Sequence, residues 1–148
     1  MTADNQKTED SELSLVLASG SPRRRLLLSM AGFDFTVTPP DIEEIRLPGE
    51  PAEDFVVRMA REKTAVVAAQ LDRAACVLGF DTSVVLGDRV YGKPVNESDA
   101  AAMLLSLAGR THTVYTGYAF ARGAEIVESG IDAARVTMRP VDAAEAAA

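Results

Sequence analysis

One polar pair, Asp81-Thr82, separates two apolar runs that otherwise have the composition of a buried strand. The run 75–78 contains Ala, Cys, Val and Leu, and the run 83–86 resumes the same character. Burying an unpaired ionised carboxylate costs several kcal/mol or more. We therefore expect Asp81 either to leave the sheet at a strand end or to meet a cation there, and both outcomes place it in a functional site.

A hairpin is predicted directly after this stretch. Gly87-Asp88 is a typical two-residue turn, and it leads into a short strand at 89–91. Gly92-Lys93-Pro94 ends that strand. The hairpin can therefore bring Lys93 back towards Asp81.

The segment 19–25 has the features of an anion-binding site. A strand is predicted at 13–18, and Ser21 and Pro22 are typical of the cap and first position of a helix that ends at Gly32. Free backbone N–H groups and the positive end of the helix dipole then point at one spot. Arginines in the first helical turn oppose that dipole, which favours a bound phosphate; a solvated basic helix face is the alternative.

Carboxylates follow a second predicted strand. Phe33, Phe35 and Val37 alternate with polar residues, and Pro39-Pro40 ends the strand. The acids of the segment 41–44 come next. Carboxylates at a strand exit are hard oxygen ligands for Mg²⁺ or Mn²⁺ beside a phosphate, although taken alone such residues are more often surface acids.

A lysine lies on the apolar stripe of the next predicted helix, 51–71. Lys63 follows Met59 by four residues and precedes Val67 by four, where an aliphatic residue is expected. Two interpretations remain open. Either the stem of Lys63 covers the core while its ammonium reaches water, or the amine is aimed into a cleft to meet an anion.

The remaining elements are predicted to be structural. They are a helix from Asn96 to Gly109, a β-rich run at 111–120, a turn at Arg122-Gly123, strands at 125–128 and 131–138, and a short helix after Asp142. In the first helix, which begins after Ser21, one face is shared by Leu26, Leu27, Met30 and Ala31. His112 is the only histidine. Nothing near it completes a metal cluster or a catalytic triad, so we expect a structural or hydrogen-bonding role.

Composition limits the class of protein. The chain has 148 residues, of which 47% are hydrophobic and 25% charged, as in one globular domain. Its formal net charge of -7 argues against a long nucleic-acid partner. The single cysteine, Cys76, excludes an internal disulfide, reads as a core residue and favours a reducing compartment. Residues 1–12 read as a disordered polar lead-in, neither a signal peptide nor a membrane anchor.

Six motifs resemble, in order and spacing, the Maf family of nucleoside triphosphate pyrophosphatases. They are Leu17-Ala-Ser-Gly-Ser-Pro-Arg-Arg24, Ile42-Glu-Glu44, Arg61-Glu-Lys63, Leu78-Gly-Phe-Asp-Thr82, Gly92-Lys-Pro94 and Gly109-Arg-Thr-His-Thr-Val-Tyr-Thr-Gly117. Each motif alone is weak, but six in register are specific.

The resemblance implies an α/β fold with a mixed twisted sheet flanked by helices, similar to inosine triphosphate pyrophosphatases, and a nucleotide cleft between two lobes. Residues 13–148 would form this domain, usually in a cytoplasmic homodimer. Because the family continues beyond this length, a C-terminal portion is expected to be missing. Arg23 and Thr82 match the dTTP/UTP branch, whereas Phe80 stands where a small residue is usual.

The implied activity is hydrolysis of the α–β phosphoanhydride of dTTP or UTP to the nucleoside monophosphate and pyrophosphate, a house-cleaning role. Asp81 is expected to be the general base and a ligand of Mg²⁺ or Mn²⁺, with Glu44 and Glu43 completing the metal site. The substrate-binding residues are expected to be Ser19, Arg23, Arg24, Lys63, Thr82 and Lys93. The partner is then a small nucleotide, with no role for a nucleic-acid polymer or a membrane.

Three other classes of protein are weighed against this one. One is a nucleotide-binding or regulatory protein without turnover that affects septum formation. A P-loop ATPase would need a G-x-x-x-x-G-K-[ST] segment, which the sequence lacks. A haloacid-dehalogenase-type phosphatase would want a second Asp where Ser83 stands.

Overall fold

The computed structural model describes residues 13–72 and 74–148, so the predicted lead-in at 1–12 lies outside the described residues. The strands are β1 Ser14–Ala18, β2 Thr36–Val37, β3 Ala75–Leu86, β4 Arg89–Tyr91, β5 Thr111–Arg122 and β6 Glu125–Thr137. The helices are α1 Pro22–Met30, α2 Ala52–Ala68, α3 Glu97–Leu107 and α4 Ala143–Ala147. None of the helices in this part of the chain is long and apolar enough to span a bilayer.

The described strands form one mixed sheet in the order β2-β1-β3-β5-β6, and β4 also pairs with β3. β1 is parallel to β2 and β3, whereas β3, β5 and β6 are antiparallel in turn. The predicted mixed α/β fold is therefore confirmed. Two boundaries were wrong: β6 is one strand with a register irregularity opposite Phe120/Ala121 rather than two strands, and β2 contains only Thr36–Val37.

β3 runs through the polar pair without a break, so Asp81 lies in the middle of a strand and not at a strand end. On one side, β5 pairs with β3 from Cys76 to Val85. On the other side, pairing with β1 stops at Gly79, and pairing with β4 starts at Val84. Residues 80–83 therefore have no strand partner on that side among the described residues, and we call this stretch the open edge.

Helix α2 lies unusually close to the sheet because two glycines face it. A Cβ atom on Gly79 would overlap Thr64 Oγ1, and one on Gly117 would overlap the Val56 backbone and lie 2.7 Å from Val57 N. Thr64 Oγ1 also donates to the Ala60 carbonyl oxygen at 2.8 Å, within the helix. This close approach buries the inner face of α2 directly on β3 and β5.

Local capping agrees with the sequence. Ser21 precedes α1 with its Oγ accepting from Arg24 N at 3.4 Å, and Asn96 precedes α3 with its Oδ1 accepting from Asp99 N at 2.8 Å. Gly32 has φ 83°, the left-handed conformation expected after a helix end. The shared apolar face of α1 is exposed, with Met30 at 75%.

Candidate functional site

The ammonium group of Lys63 lies between two carboxylates. Lys63 Nζ donates to Asp81 Oδ1 at 2.6 Å and lies 3.1 Å from Glu44 Oε1. Lys63 is 7% exposed and Asp81 4%, so both are buried. Two interpretations of Lys63 were open, and its contacts agree with the one in which the amine meets an anion. Asp81 likewise meets a cation, although within a strand.

Glu44 connects this pair to a second lysine. Lys93 Nζ donates to Glu44 Oε1 at 3.3 Å, and its side chain is 88% exposed. The hairpin of β3 and β4 therefore brings Lys93 to Glu44 rather than directly to Asp81. Partial burial raises the pKa of Glu44, but Lys63 and Lys93 together lower it further, so its net pKa lies below the ordinary value.

Burial is the main influence on Asp81. It raises the pKa of the Asp81 carboxyl, and the ammonium of Lys63 offsets only part of that increase. The negative charge of Glu44 acts in the same direction as burial, whereas the positive charge of Arg24 opposes it. A carboxylate with a raised pKa is a better proton acceptor, as a general base requires.

Arg24 occupies the open edge of β3. Its Nη1 donates to Ser19 Oγ and to the Phe80 carbonyl oxygen, each at 3.2 Å, and its Nη2 donates to Thr82 Oγ1 at 3.0 Å. The guanidinium carbon lies 5.6 Å from the centre of the Phe80 ring, within cation–π range. Burial lowers the pKa of Arg24, and the charges of Asp81 and Glu44 oppose that decrease.

Ser19 holds the turn that leads into α1. It is buried, and its Oγ accepts from Ser21 N at 3.2 Å as well as from Arg24. Because the oxygen is the acceptor in both bonds, the hydroxyl hydrogen remains a donor for a phosphate oxygen. Ser19 and Arg24 thus lie together at the predicted anion-binding turn.

Two predicted site residues are not brought into this cluster, and one residue was missed. Arg23 and Glu43 are exposed and form no hydrogen bond or ion pair with the described residues. Thr116, on β5, was not predicted as a site residue, yet its Oγ1 lies 3.1 Å from Thr82 Oγ1. Thr116 lies in the β-rich run predicted at 111–120, but the pairing of β5 with β3 that brings it to Thr82 is not visible in a local pattern.

The donor set fits a divalent cation that shares its coordination with a substrate. Mg²⁺ usually keeps several waters and binds one or two carboxylates together with phosphate oxygens. Asp81 and Glu44 supply two carboxylates around one ammonium, so this position already accommodates positive charge. No group of three or more His, Cys, Asp or Glu residues suited to a metal occurs in the described ranges. The arrangement therefore fits a site completed by phosphate rather than an all-protein cage.

Comparison with solved structures places the fold in a known class. A HAM1 protein from Coxiella burnetii superposes with a TM-score of 0.53 at 16% sequence identity, covering 83% of this chain and 70% of that one. At this identity the likeness shows a shared α/β fold. The model of a protein family described as Maf-like protein also matches this sequence, over residues 14–148. The chain belongs to the Maf-like protein family.

Curated relatives are similar to this chain over most of its length. A dTTP/UTP pyrophosphatase of Myxococcus xanthus (strain DK1622) is 49% identical over 131 residues, covering 88% of this chain and 65% of the relative. A dTTP/UTP pyrophosphatase of Xanthomonas campestris pv. campestris is 44% identical over 138 residues, covering 90% of this chain and 72% of the relative. The chain thus spans about two thirds of the length of the Myxococcus xanthus protein.

Proposed function

We propose that this protein is a nucleoside triphosphate pyrophosphatase that hydrolyses the α–β phosphoanhydride of dTTP or UTP. The observation that carries the proposal is the buried ammonium of Lys63 between Asp81 and Glu44. Lys93 and the guanidinium of Arg24 flank this group. A cluster of alternating charge that opens at a sheet edge suits a triphosphate with a bound cation. The names of the relatives point to the same reaction.

In the proposed reaction, Asp81 acts as the general base and cationic side chains stabilise the leaving group. Asp81 accepts a proton from water, which attacks phosphorus, and the P–O bond between the α and β phosphates breaks. The products are the nucleoside monophosphate and pyrophosphate. Lys63, Lys93 and Arg24 neutralise the charge that grows on the leaving pyrophosphate. Ser19 and the amides of the turn before α1 hold one phosphate.

Two further cationic and polar side chains belong to the proposed substrate contacts. Arg23 is exposed beside Arg24, where it can approach a bound triphosphate by side-chain rotation alone. Thr82 orients Arg24 through its Oγ1 and lies beside Asp81 on the open edge. Both are proposed to contact the nucleotide rather than the reacting atoms.

Asp81 and Glu44 are proposed to hold one Mg²⁺ or Mn²⁺. When bound, such an ion supplies Lewis-acid polarisation of the phosphoryl oxygens and neutralises charge on the triphosphate. Lys63 is proposed to turn from the two carboxylates towards the phosphates when substrate binds. Glu43 is proposed only as a peripheral ligand, because its exposed side chain makes no contact with the cluster in the described part of the chain.

The test is pyrophosphate release from dTTP and UTP in the presence of Mg²⁺ or Mn²⁺. Asp81→Asn should lower kcat at least 10²-fold, the usual contribution of a general base. Asp88→Asn is a matched control, because it makes the same chemical change at an exposed turn residue of the adjacent hairpin. It should leave the rate within about twofold. Equal, measurable rates for wild type and Asp81→Asn would remove Asp81 as the general base, and binding of the nucleotide without pyrophosphate release by wild type would remove the hydrolase proposal.

We also propose a cytoplasmic homodimer. The single buried cysteine, Cys76, supports a reducing compartment. Light scattering at several concentrations tests the dimer, since a mass near 15.7 kDa throughout would contradict it.

A further inference from the structure

Glu44 lies in a segment, residues 38–50, that contains neither helix nor strand. Fixing the backbone of such a residue lowers its conformational entropy, which opposes a single conformation. Something must therefore hold Glu44 against the two lysines. Contacts on both sides of it do so. Ile42 packs against the buried cluster of α2 that contains Phe55 and Met59. The carbonyl oxygen of Ile45 accepts from Arg58 Nη2 at 2.9 Å.

Arg58 makes this second contact as one part of a planar fork. Its Nε and Nη2 donate to Glu50 Oε1 and Oε2 at 2.7 and 2.8 Å, a bidentate pair. Its Nη1 donates to Glu62 Oε1 at 3.0 Å, one turn along the helix. The side chain of Glu50 is 10% exposed and that of Arg58 28%. Arg58 is therefore fixed by α2 and by the far end of the Glu44 segment at once.

Glu50 closes that end of the segment on itself. Its Oε2 accepts from Leu47 N at 3.0 Å, and its backbone carbonyl oxygen accepts from Arg46 Nε at 2.7 Å. Glu50 N donates in turn to the Leu47 carbonyl oxygen at 3.1 Å. Residues 45–50 thus form a compact loop around one carboxylate, and Arg58 attaches this loop to α2, the helix that also carries Lys63.

We infer that Arg58 and Glu50 are positioning residues that hold Glu44 beside Lys63 and Lys93 so that it can contribute to the metal and phosphate site. This inference rests on the proposed function and deepens it. Neither residue touches Lys63, Asp81 or Lys93 among the described contacts, so their influence on the site passes through the backbone next to Glu44. Residues that orient a metal ligand typically change metal affinity 10–100-fold when replaced.

The experiment compares Glu50→Gln and Arg58→Gln with Glu62→Gln. The control removes the other acid that Arg58 contacts, and it leaves the fork to Glu50 and Ile45 intact. Arg58→Lys keeps the charge but not the planar fork, so it tests geometry separately and protects against a misfolded Gln variant. Binding of Mn²⁺ in the presence of α,β-imido-dUTP is followed by electron paramagnetic resonance. Pyrophosphate release is measured over a range of metal concentrations.

We expect Glu50→Gln and Arg58→Gln to weaken Mn²⁺ binding about tenfold, with Arg58→Lys between them and wild type. The kcat at saturating metal should stay within about twofold, because the reacting groups are unchanged. Glu62→Gln should match wild type. Unchanged Mn²⁺ affinity in both Gln variants, an equal loss in Glu62→Gln, or no Mn²⁺ binding by wild type would overturn the inference. A loss of kcat that excess metal does not restore would instead indicate a purely structural role.

The Mn²⁺ measurement also separates this inference from the proposed function. If wild type binds the ion and the analogue but releases no pyrophosphate, the hydrolase proposal fails. The Mn²⁺ affinity of the Glu50 and Arg58 variants, compared with that of wild type, then still tests whether these residues position Glu44.

Discussion

Replacing Lys63 by Met tests whether the charge at the centre of the site is as buried as the structure shows. Breaking a buried ion pair by removing one partner costs about 3–5 kcal/mol. Asp81 can avoid an unpaired charge by taking up a proton. From its ordinary pKa of 3.8, that costs about 4.4 kcal/mol at pH 7, at about 1.36 kcal/mol per pH unit. The two values agree, so we expect Lys63→Met to lose about 3–4 kcal/mol of unfolding free energy at pH 7.

The loss should depend on pH in a defined direction. Burial raises the pKa of Asp81, and removing the Lys63 ammonium raises it further. An acid whose pKa is raised in the folded state binds its proton there first as the pH falls. The variant should therefore recover stability relative to wild type between pH 7 and pH 5, by at most about 1.36 kcal/mol per unit.

Urea unfolding at pH 7 and pH 5, with a common m-value, measures both effects. Lys93→Met is the matched control, because Lys93 contacts the same Glu44 but is 88% exposed. It should cost no more than about 1 kcal/mol. Adding Asp81→Asn to Lys63→Met should restore much of the lost stability, since no buried charge remains unpaired. The reasoning is refuted if the two lysine variants are equally stable, or if the deficit of Lys63→Met does not change with pH.

Two further predictions concern the parts of the fold that hold the site. Gly117→Ala should destabilise the protein by about 1–3 kcal/mol in thermal unfolding, because the new methyl group overlaps the rigid backbone of Val56. Gly92→Ala is the control and should be nearly neutral, because its new methyl group meets open space. Equal effects of the two substitutions would contradict the close approach of α2. The hydrogen bonds from Arg58 lower the pKa of Glu50 from 4.5 to about 2, so the stabilisation that its charge provides is complete above pH 4.5 and is lost as the pH falls towards 2. The difference in melting temperature between wild type and Glu50→Gln should therefore shrink from pH 5 to pH 2, and a constant difference would argue against an ionised Glu50.

Local features of the fold were predictable from the sequence because they depend on neighbouring residues. The caps at Ser21 and Asn96 each bond a backbone amide three residues away, so their residue types suffice. Strand length was not predictable in the same way. β3 continues through Asp81 because β5 pairs along it and Lys63 compensates the carboxylate, and neither contact is visible in the strand itself. The local sequence does not explain why the apolar face of α1 is exposed.

The candidate site was predictable as a set of residue types but not as a set of contacts. The cost of burying Asp81 predicts that it meets a cation, yet which cation depends on the register of α2 over the sheet. That register follows from long-range packing at Gly79 and Gly117. Arg58 and Glu50 were not predicted, since sequence spacing shows only the pair of Arg58 with Glu62. The roles assigned to the site residues remain predictions for the experiments above.

The close packing of α2 on the sheet also limits the motions available to Lys63. With Gly79 and Gly117 in direct contact with the helix, the backbones that carry Lys63 and Asp81 are locked together. In the proposed reaction, the ammonium would exchange a carboxylate for a phosphate by rotation about side-chain bonds. Such rotations take picoseconds to nanoseconds in exposed side chains, whereas the buried Lys63 must first break its ion pair with Asp81. The proposed exchange at Lys63 therefore needs no movement of the helix against the sheet.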